Sequence, residues 1–511
     1  RMIEMKITDQ EMIEKCREIC GDAHVEAGSD IDPKYQRDWL NKYPSDPFMV
    51  VRPDSTEKVA ALMKICAATK TAVIPLGGNS GLTGATQAHA DQKAMIMSLE
   101  RMNTIREVNG DGRYIIAESG CIVENLHKAA DQAGWMFPLV FGAKGTAHIG
   151  GALGTNAGGL NVVRYGNTRA LCLGLEVVTA SGDVMNLLPA LKKDNTGYDL
   201  VNLMIGSEGT LGIITAATLT LVPKPAAYAT AMVVVPNMDA ALKLMNLVQQ
   251  QTGGRLEAYE LMDKVIYDLC VNNLDHVTAP FSYSPELSIL MEIAAGSPDD
   301  VKIQPDGRLN LAIQLETILA TAFEQGFAED AIIANSEAQR LNLWAMREDA
   351  LDAMQKHGNW VMSDVSFQVA DLPGAITDLK DAFAAVAPGP FCVAFGHMGD
   401  GNLHAFARPY DEDPKDHPKE ADAIKAALRD TVVKWNGSIS AEHGVGQDKQ
   451  AEMKQLKDPI AYEMMKSIKA PAGFHWMKKG SSYKLMKHSG KFKSHKGASL
   501  TAKFEVQKKH G

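Results

Sequence analysis

The chain has 511 residues, 45% of them apolar and 22% charged, which suits a globular protein of about two or three domains. Its net charge of −10 argues against nucleic acid or an anionic membrane as partner. Seven cysteines without a CxxC pair argue against a disulfide framework, and no run of about 18 apolar residues offers a membrane span.

The N-terminal stretch "RMIEMKITDQEMIEKC" is amphipathic and mixed in charge, and it lacks the apolar core of a signal peptide. It reads as a helical lead-in over residues 1–45 of a protein of the cytoplasm or, in a eukaryote, the mitochondrial matrix. Residues 50–66 predict a strand end, a cap at Asp54 or Ser55, and a helix with Val59, Leu62, Met63 and Cys66 on one face. "TAVIPL" (71–76) is a short buried strand that runs into "GGNSGLTG" (77–84). Strands, glycine loops and helices continue to "LTLVPKP", where Pro223 and Pro225 mark a boundary. Beyond it, "MDAALKLMNLVQQ" (238–250) and "EAQRLNLWAMREDALDAMQKH" (337–357) carry helical periodicity, and "LSILMEIA" (287–294) is a strand.

Three glycine-rich blocks set the chemistry of the first half. "PLGGNSGLTG" follows a strand and can aim several backbone N–H groups at one anion, or form a tight turn. It is neither a Walker A loop nor G-x-G-x-x-G. "FGAKGTAHIGGALGTNAGGLNVVRYGNTR" (141–169) and "GSEGTLGIIT" (206–215) repeat the pattern beside apolar segments. Backbone that approaches a large, partly anionic ligand uses glycine in this way.

With "RYGNTRALCLGLEVVTASGDV" and "IGSEGTLGIITAATLTLVPKP", these blocks resemble the flavin-binding domain of the vanillyl-alcohol-oxidase/p-cresol-methylhydroxylase superfamily. The resemblance implies FAD. It implies that the backbone around Pro75, Gly77, Gly78, Asn79, Ser80, Gly81 and Leu82 holds the pyrophosphate. It places Gly145, Thr146, Gly151, Thr155, Asn156 and Gly158 along the flavin, with Glu208, Gly209 and Ile214 completing the site. Covalent and non-covalent attachment both occur among relatives, and the similarity is greatest to the non-covalent members.

"HMGDGNLH" (397–404) poses a separate question. Glycines 399 and 401 disfavour a helix, and Asp400-Gly401 suits a two-residue hairpin turn. His397 and His404 then become direct cross-strand neighbours, close enough for two imidazoles to share one metal ion. "SISAEHGVG" (438–446) supplies Glu442 as a third ligand and His443 as a base, provided the backbone turns at Gly444 and Gly446. Two histidines and a carboxylate leave an open position on Zn²⁺, Mn²⁺ or Fe²⁺.

This half resembles the C-terminal domain of FAD-linked 2-hydroxy-acid dehydrogenases acting on D-lactate, glycolate or D-2-hydroxyglutarate. The resemblance assigns the metal to His397, His404 and Glu442, the hydroxyl proton to His443, and the substrate carboxylate to Arg347 in "LWAMRED". The expected protein is α+β. A two-subdomain FAD-binding domain of p-cresol-methylhydroxylase type (46–225) precedes an α+β substrate or cap domain (226–469) and an atypical basic tail (470–511).

The expected reaction oxidises a small 2-hydroxy acid and passes the electrons to a separate quinone, cytochrome or electron-transfer flavoprotein. Oligomeric state stays open, a homodimer included. A metal hydrolase and a catalytically impaired flavin protein remain as alternatives.

Two departures bear on this expectation. Hydroxyglutarate enzymes carry a lysine where "VMSDVS" has Met362, and "HLN" where this chain has "HAF" (404–406), so an acid with one carboxylate is favoured. From Lys478 onward there are ten lysines and one acid, Glu505, which leaves −19 on residues 1–477. The end of the usual family pattern is lost near Ala470, so either a replaced C-terminus or a disordered basic arm is expected.

Overall fold

The computed structural model describes residues 7–88, 92–386 and 391–468, together with the backbone of strands Phe474–Lys479, Ser482–Lys487 and Ala498–Ser499. Residues 1–448 form one compact unit and residues 449–511 a second. In the second, helices Gln450–Leu456 and Pro459–Ile468 precede an antiparallel three-stranded sheet, so the basic tail includes regular strands. The rest of 470–511 lies outside the described residues.

Local sequence explains the first elements. Helix Asp9–Cys20 starts at a capping box in which Thr8 and Glu11 satisfy each other's backbone N–H groups. Ser55 caps helix Thr56–Thr69, and Val59, Leu62, Met63 and Cys66 are buried as the periodicity requires. Both helices cover strands Val25–Ala27, Met49–Val51, Ala94–Ser98 and Ala72–Leu76, a four-stranded sheet whose last three strands run parallel.

A five-stranded antiparallel sheet follows, in the order Ile105–Asn109, Tyr114–Glu118, Gly212–Thr220, Cys172–Thr179, Val184–Leu187. These two sheets carry the glycine blocks between their strands.

The strands between Tyr228 and Arg408 join a seven-stranded antiparallel sheet. Its order is Asp330–Ile333, Tyr228–Val234, Leu287–Ala294, Leu256–Asp263, Phe391–Gly396, Asn402–Arg408, Asp364–Ser366. Helices Met238–Thr252, Asn310–Glu324 and Leu372–Val386 contribute to the apolar core on one face. Lys264–Asn273 and the helices that follow Ser336 contribute to the core on the other.

The single helix expected over 337–357 is two, Glu337–Glu348 and Ala350–His357. The break falls at Asp349, whose carboxylate bonds His276, while Asn273 takes the Ala353 carbonyl and draws the second piece onto helix Lys264–Asn273. Tertiary hydrogen bonds override a continuous periodic pattern here.

Five of the seven cysteines are buried, Cys172 and Cys392 are half-buried, and none forms a disulfide. Burial pushes thiols such as Cys66 and Cys270 up to about 12, so they behave as small apolar side chains. Among the described residues no helix is long and apolar enough to cross a membrane.

Candidate active site

The three glycine blocks converge. Pro75 is the penultimate residue of strand Ala72–Leu76, and a Cβ on Gly209 would stand 2.4 Å from its ring. Gly77, Gly78, Asn79, Ser80, Gly81 and Leu82 form the loop that follows, where a Cβ on Gly78 would meet the Thr146 carbonyl oxygen at 2.1 Å. Gly151 and Thr155 lie in helix Ile149–Thr155, and Asn156 caps its C-terminus in the left-handed region. Gly206 and Glu208 donate their N–H groups to the carbonyls of Leu153 and Gly154 at that helix end.

This backbone leaves an open face. A Cβ built on Gly81, Gly145, Gly151 or Gly154 meets nothing within 4 Å. The buried Nδ1 of His148, at the start of the same helix, has no hydrogen-bond partner. A bare, glycine-lined groove fits a dinucleotide such as FAD.

Side chains in this group have other duties. Asn79 donates to the Arg37 carbonyl at 3.1 Å and accepts from Thr86 at 2.9 Å, which shapes its own loop. Ile214 is buried in the apolar core of the five-stranded sheet. The Glu208 carboxylate accepts the N–H groups of Val445 and Gly446, both at 2.8 Å. Thr83 also bonds the His443 carbonyl at 3.2 Å and accepts the Gln447 N–H at 2.8 Å. The loop that carries Glu442 and His443 is therefore strapped to two glycine blocks.

The histidine hairpin departs from its expected register. Phe395, not His397, pairs with His404. Asn402 donates its N–H to the His397 carbonyl at 3.2 Å, so Met398–Gly401 form a four-residue loop rather than a two-residue turn. The shift is two residues. An even shift preserves the face, so His397 and His404 still lie side by side with ring centroids 5.5 Å apart.

Glu442 arrives from the neighbouring edge. Ser438 and Ser366 exchange two backbone hydrogen bonds, which docks the 438–446 segment on strand Asp364–Ser366. Asp364, the direct cross-strand neighbour of His404, then accepts the N–H groups of Glu442 at 2.8 Å and His443 at 3.1 Å. Gly444 and Gly446 take positive φ, as the expected turn requires. Ligand atoms of His397, His404 and Glu442 all lie within 4.8 Å of one another, a spacing that one divalent ion can bridge.

His443 stands on the same side, its ring nearly parallel to that of His404 at 6.5 Å and its Nδ1 3.6 Å from Asp364. Arg347, in the last turn before the helix break, is buried over the Phe395 ring at 5.3 Å.

The electrostatics suit an ion. Burial opposes charge on His397, but Glu260 and Glu442 raise its pKa to about 9. Burial and the cations Arg347 and His397 hold His404 well below the usual histidine range. Burial lifts Glu442 to about 7 and Asp400 to about 6. A carboxyl and two imidazoles crowded in this way favour a shared cation over separate protons.

Sequence reasoning missed Glu260. It sits in strand Leu256–Asp263, every residue of which is buried. Its only signal was an acid inside an apolar run.

Two family models match the chain. The FAD binding domain matches residues 47–188, and the FAD linked oxidase C-terminal domain matches residues 224–471. The mitochondrial D-2-hydroxyglutarate dehydrogenase of Arabidopsis thaliana is 34% identical over 94% of this chain and 82% of its own. The D-2-hydroxyglutarate dehydrogenase of Xanthomonas citri is 34% identical over 85% of this chain and 89% of its own.

Among solved structures, p-cresol methylhydroxylase aligns with a TM-score of 0.68 over 90% of this chain and 93% of its own, at 16% identity. Alkyldihydroxyacetonephosphate synthase aligns at 0.64 over 89% and 84%, at 15% identity. At that identity the likeness is one of fold. The glycine-lined groove, the two matched domains and the relatives agree: the chain belongs to the FAD-linked 2-hydroxy-acid dehydrogenases.

Proposed function

We propose that the protein oxidises a D-2-hydroxy acid to the 2-oxo acid. FAD would be held in the glycine-lined groove, and a divalent ion, zinc before manganese or iron, by His397, His404 and Glu442. One observation carries this reading. A Cβ on Gly158 would stand 2.4 Å from the Glu442 carboxylate, so the flavin-side backbone and the ligand cluster share a wall.

His443 takes the hydroxyl proton, and Asp364 beside its Nδ1 supplies the countercharge. Arg347 holds the substrate carboxylate and fixes which hydrogen faces the groove. His404 stays neutral at neutral pH and presents a lone pair. FAD in the groove would supply a hydride acceptor for the Cα hydrogen, and an ion on His397, His404 and Glu442 would supply Lewis acidity to the hydroxyl. A separate carrier (quinone, cytochrome or electron-transfer flavoprotein) reoxidises the flavin in the cytoplasm or a mitochondrial matrix.

The names of the relatives make D-2-hydroxyglutarate the first substrate to test. A second reading, an acid with one carboxylate, is favoured by the wall beside His404. There Phe395 and Phe406 lie 5.2 and 6.2 Å from its ring, and the uncharged Met362 precedes Asp364 by two residues. Comparing kcat/KM for D-2-hydroxyglutarate and D-lactate decides. A ratio of about tenfold or more either way names the substrate type. No 2-oxo product from any 2-hydroxy acid would overturn the reading itself.

A further inference from the structure

Glu260 is a fully buried acid near the ligand cluster, with its side chain 1% exposed. Its two oxygens go to different functional side chains. Oε1 accepts from Nδ1 of His397 at 2.8 Å, and Oε2 accepts from Nε of Arg347 at 2.5 Å.

The first bond fixes the ring of His397. With Nδ1–H committed to Glu260, Nε2 points to Glu442, 3.9 Å from Oε1. The second bond uses the Nε edge of Arg347 and leaves its Nη edge toward the cluster, with Nη2 3.4 Å from His397 Nε2. A buried carboxylate needs partners, and Arg347 alone would supply a bidentate pair. The split between an arginine and a histidine positions two groups at once.

We propose that Glu260 is a positioning residue that sets the metal-facing edge of His397 and the substrate-facing edge of Arg347 with one carboxylate. The proposal rests on the reading of His397 as a metal ligand and Arg347 as the carboxylate clamp. A histidine ligand whose other nitrogen donates to a carboxylate binds its ion more tightly, and loss of such a partner costs about 10- to 100-fold in affinity.

The test uses full-length flavin-loaded protein and three variants: Glu260→Gln, Glu260→Asp and His397→Ala. Zinc affinity is read by chelator competition, and KM and kcat are read separately. Glu260→Gln keeps one acceptor oxygen, so it can serve only one partner. The expected result is retained flavin, zinc affinity about 10- to 100-fold weaker and a raised KM. Glu260→Asp, shorter by one methylene, should fall between Gln and wild type, and it carries the test if Gln does not fold.

If His397→Ala keeps full zinc affinity, the metal reading fails, and the proposal with it. If His397→Ala loses zinc while Glu260→Gln keeps wild-type affinity and KM, the metal reading stands and the proposal is overturned. A fall in thermal stability alone, with affinity and KM unchanged, also overturns it.

Discussion

At the scale of single residues, His397 and Glu442 hold protons where no ion is bound. His397 titrates at about 9 because Glu260 and Glu442 outweigh its burial, and Glu442 titrates at about 7 because burial disfavours its charge. Both pKa values are raised, so both groups carry protons below them, and an ion must displace those protons. Apparent zinc affinity should therefore fall about tenfold per unit as pH drops below about 9. Below about 7, where Glu442 also takes a proton, the fall should steepen toward a hundredfold. Chelator competition across this range checks the slope, and a flat profile would show that these side chains do not bind the ion. That His397, His404 and Glu442 come together was legible because they stand in short, glycine-marked motifs. Glu260 and Asp364 were not, because their importance arises only from packing: one crosses from a neighbouring strand, and the other is the edge-strand partner of His404.

At the scale of elements, the hairpin shows what local reasoning can and cannot reach. Asp400-Gly401 suggested a two-residue turn, but the strands close at His397 and Asn402 around four residues. The side-chain face survived because the error was even in a structure of period two. The loop that carries His443 teaches a complementary point. Its conformation is set by Glu208, a residue of the third glycine block, through two backbone N–H bonds. Glu208→Gln turns one acceptor into an amide and leaves one N–H without its carboxylate oxygen, a cost of about 1–3 kcal/mol to the local clamp. The expected outcome is retained flavin, reduced turnover and faster hydrogen exchange in residues 440–447. Loss of flavin with unchanged exchange would instead make Glu208 a cofactor ligand.

At the scale of the whole molecule, the fold class followed from alternating helices, strands and glycine loops, and the change of sheet follows Pro223 and Pro225. The order of the seven-stranded sheet did not follow, since antiparallel strands far apart in sequence pair by burial that no local pattern records. That order brings strands carrying Glu260, His404 and Asp364 beside the strand that ends just before His397. The strap between glycine blocks and base loop then places the cluster beside the flavin groove. The central claim is that these two halves perform one oxidation, with His443 as the base. It is tested most directly by anaerobic stopped flow, following flavin absorbance at about 450 nm after mixing with a D-2-hydroxy acid. Wild type should bleach. His443→Ala should keep its flavin and bleach about 10²- to 10⁴-fold more slowly. Equal bleaching rates in the two proteins, or a wild-type flavin that no 2-hydroxy acid reduces, would contradict the account.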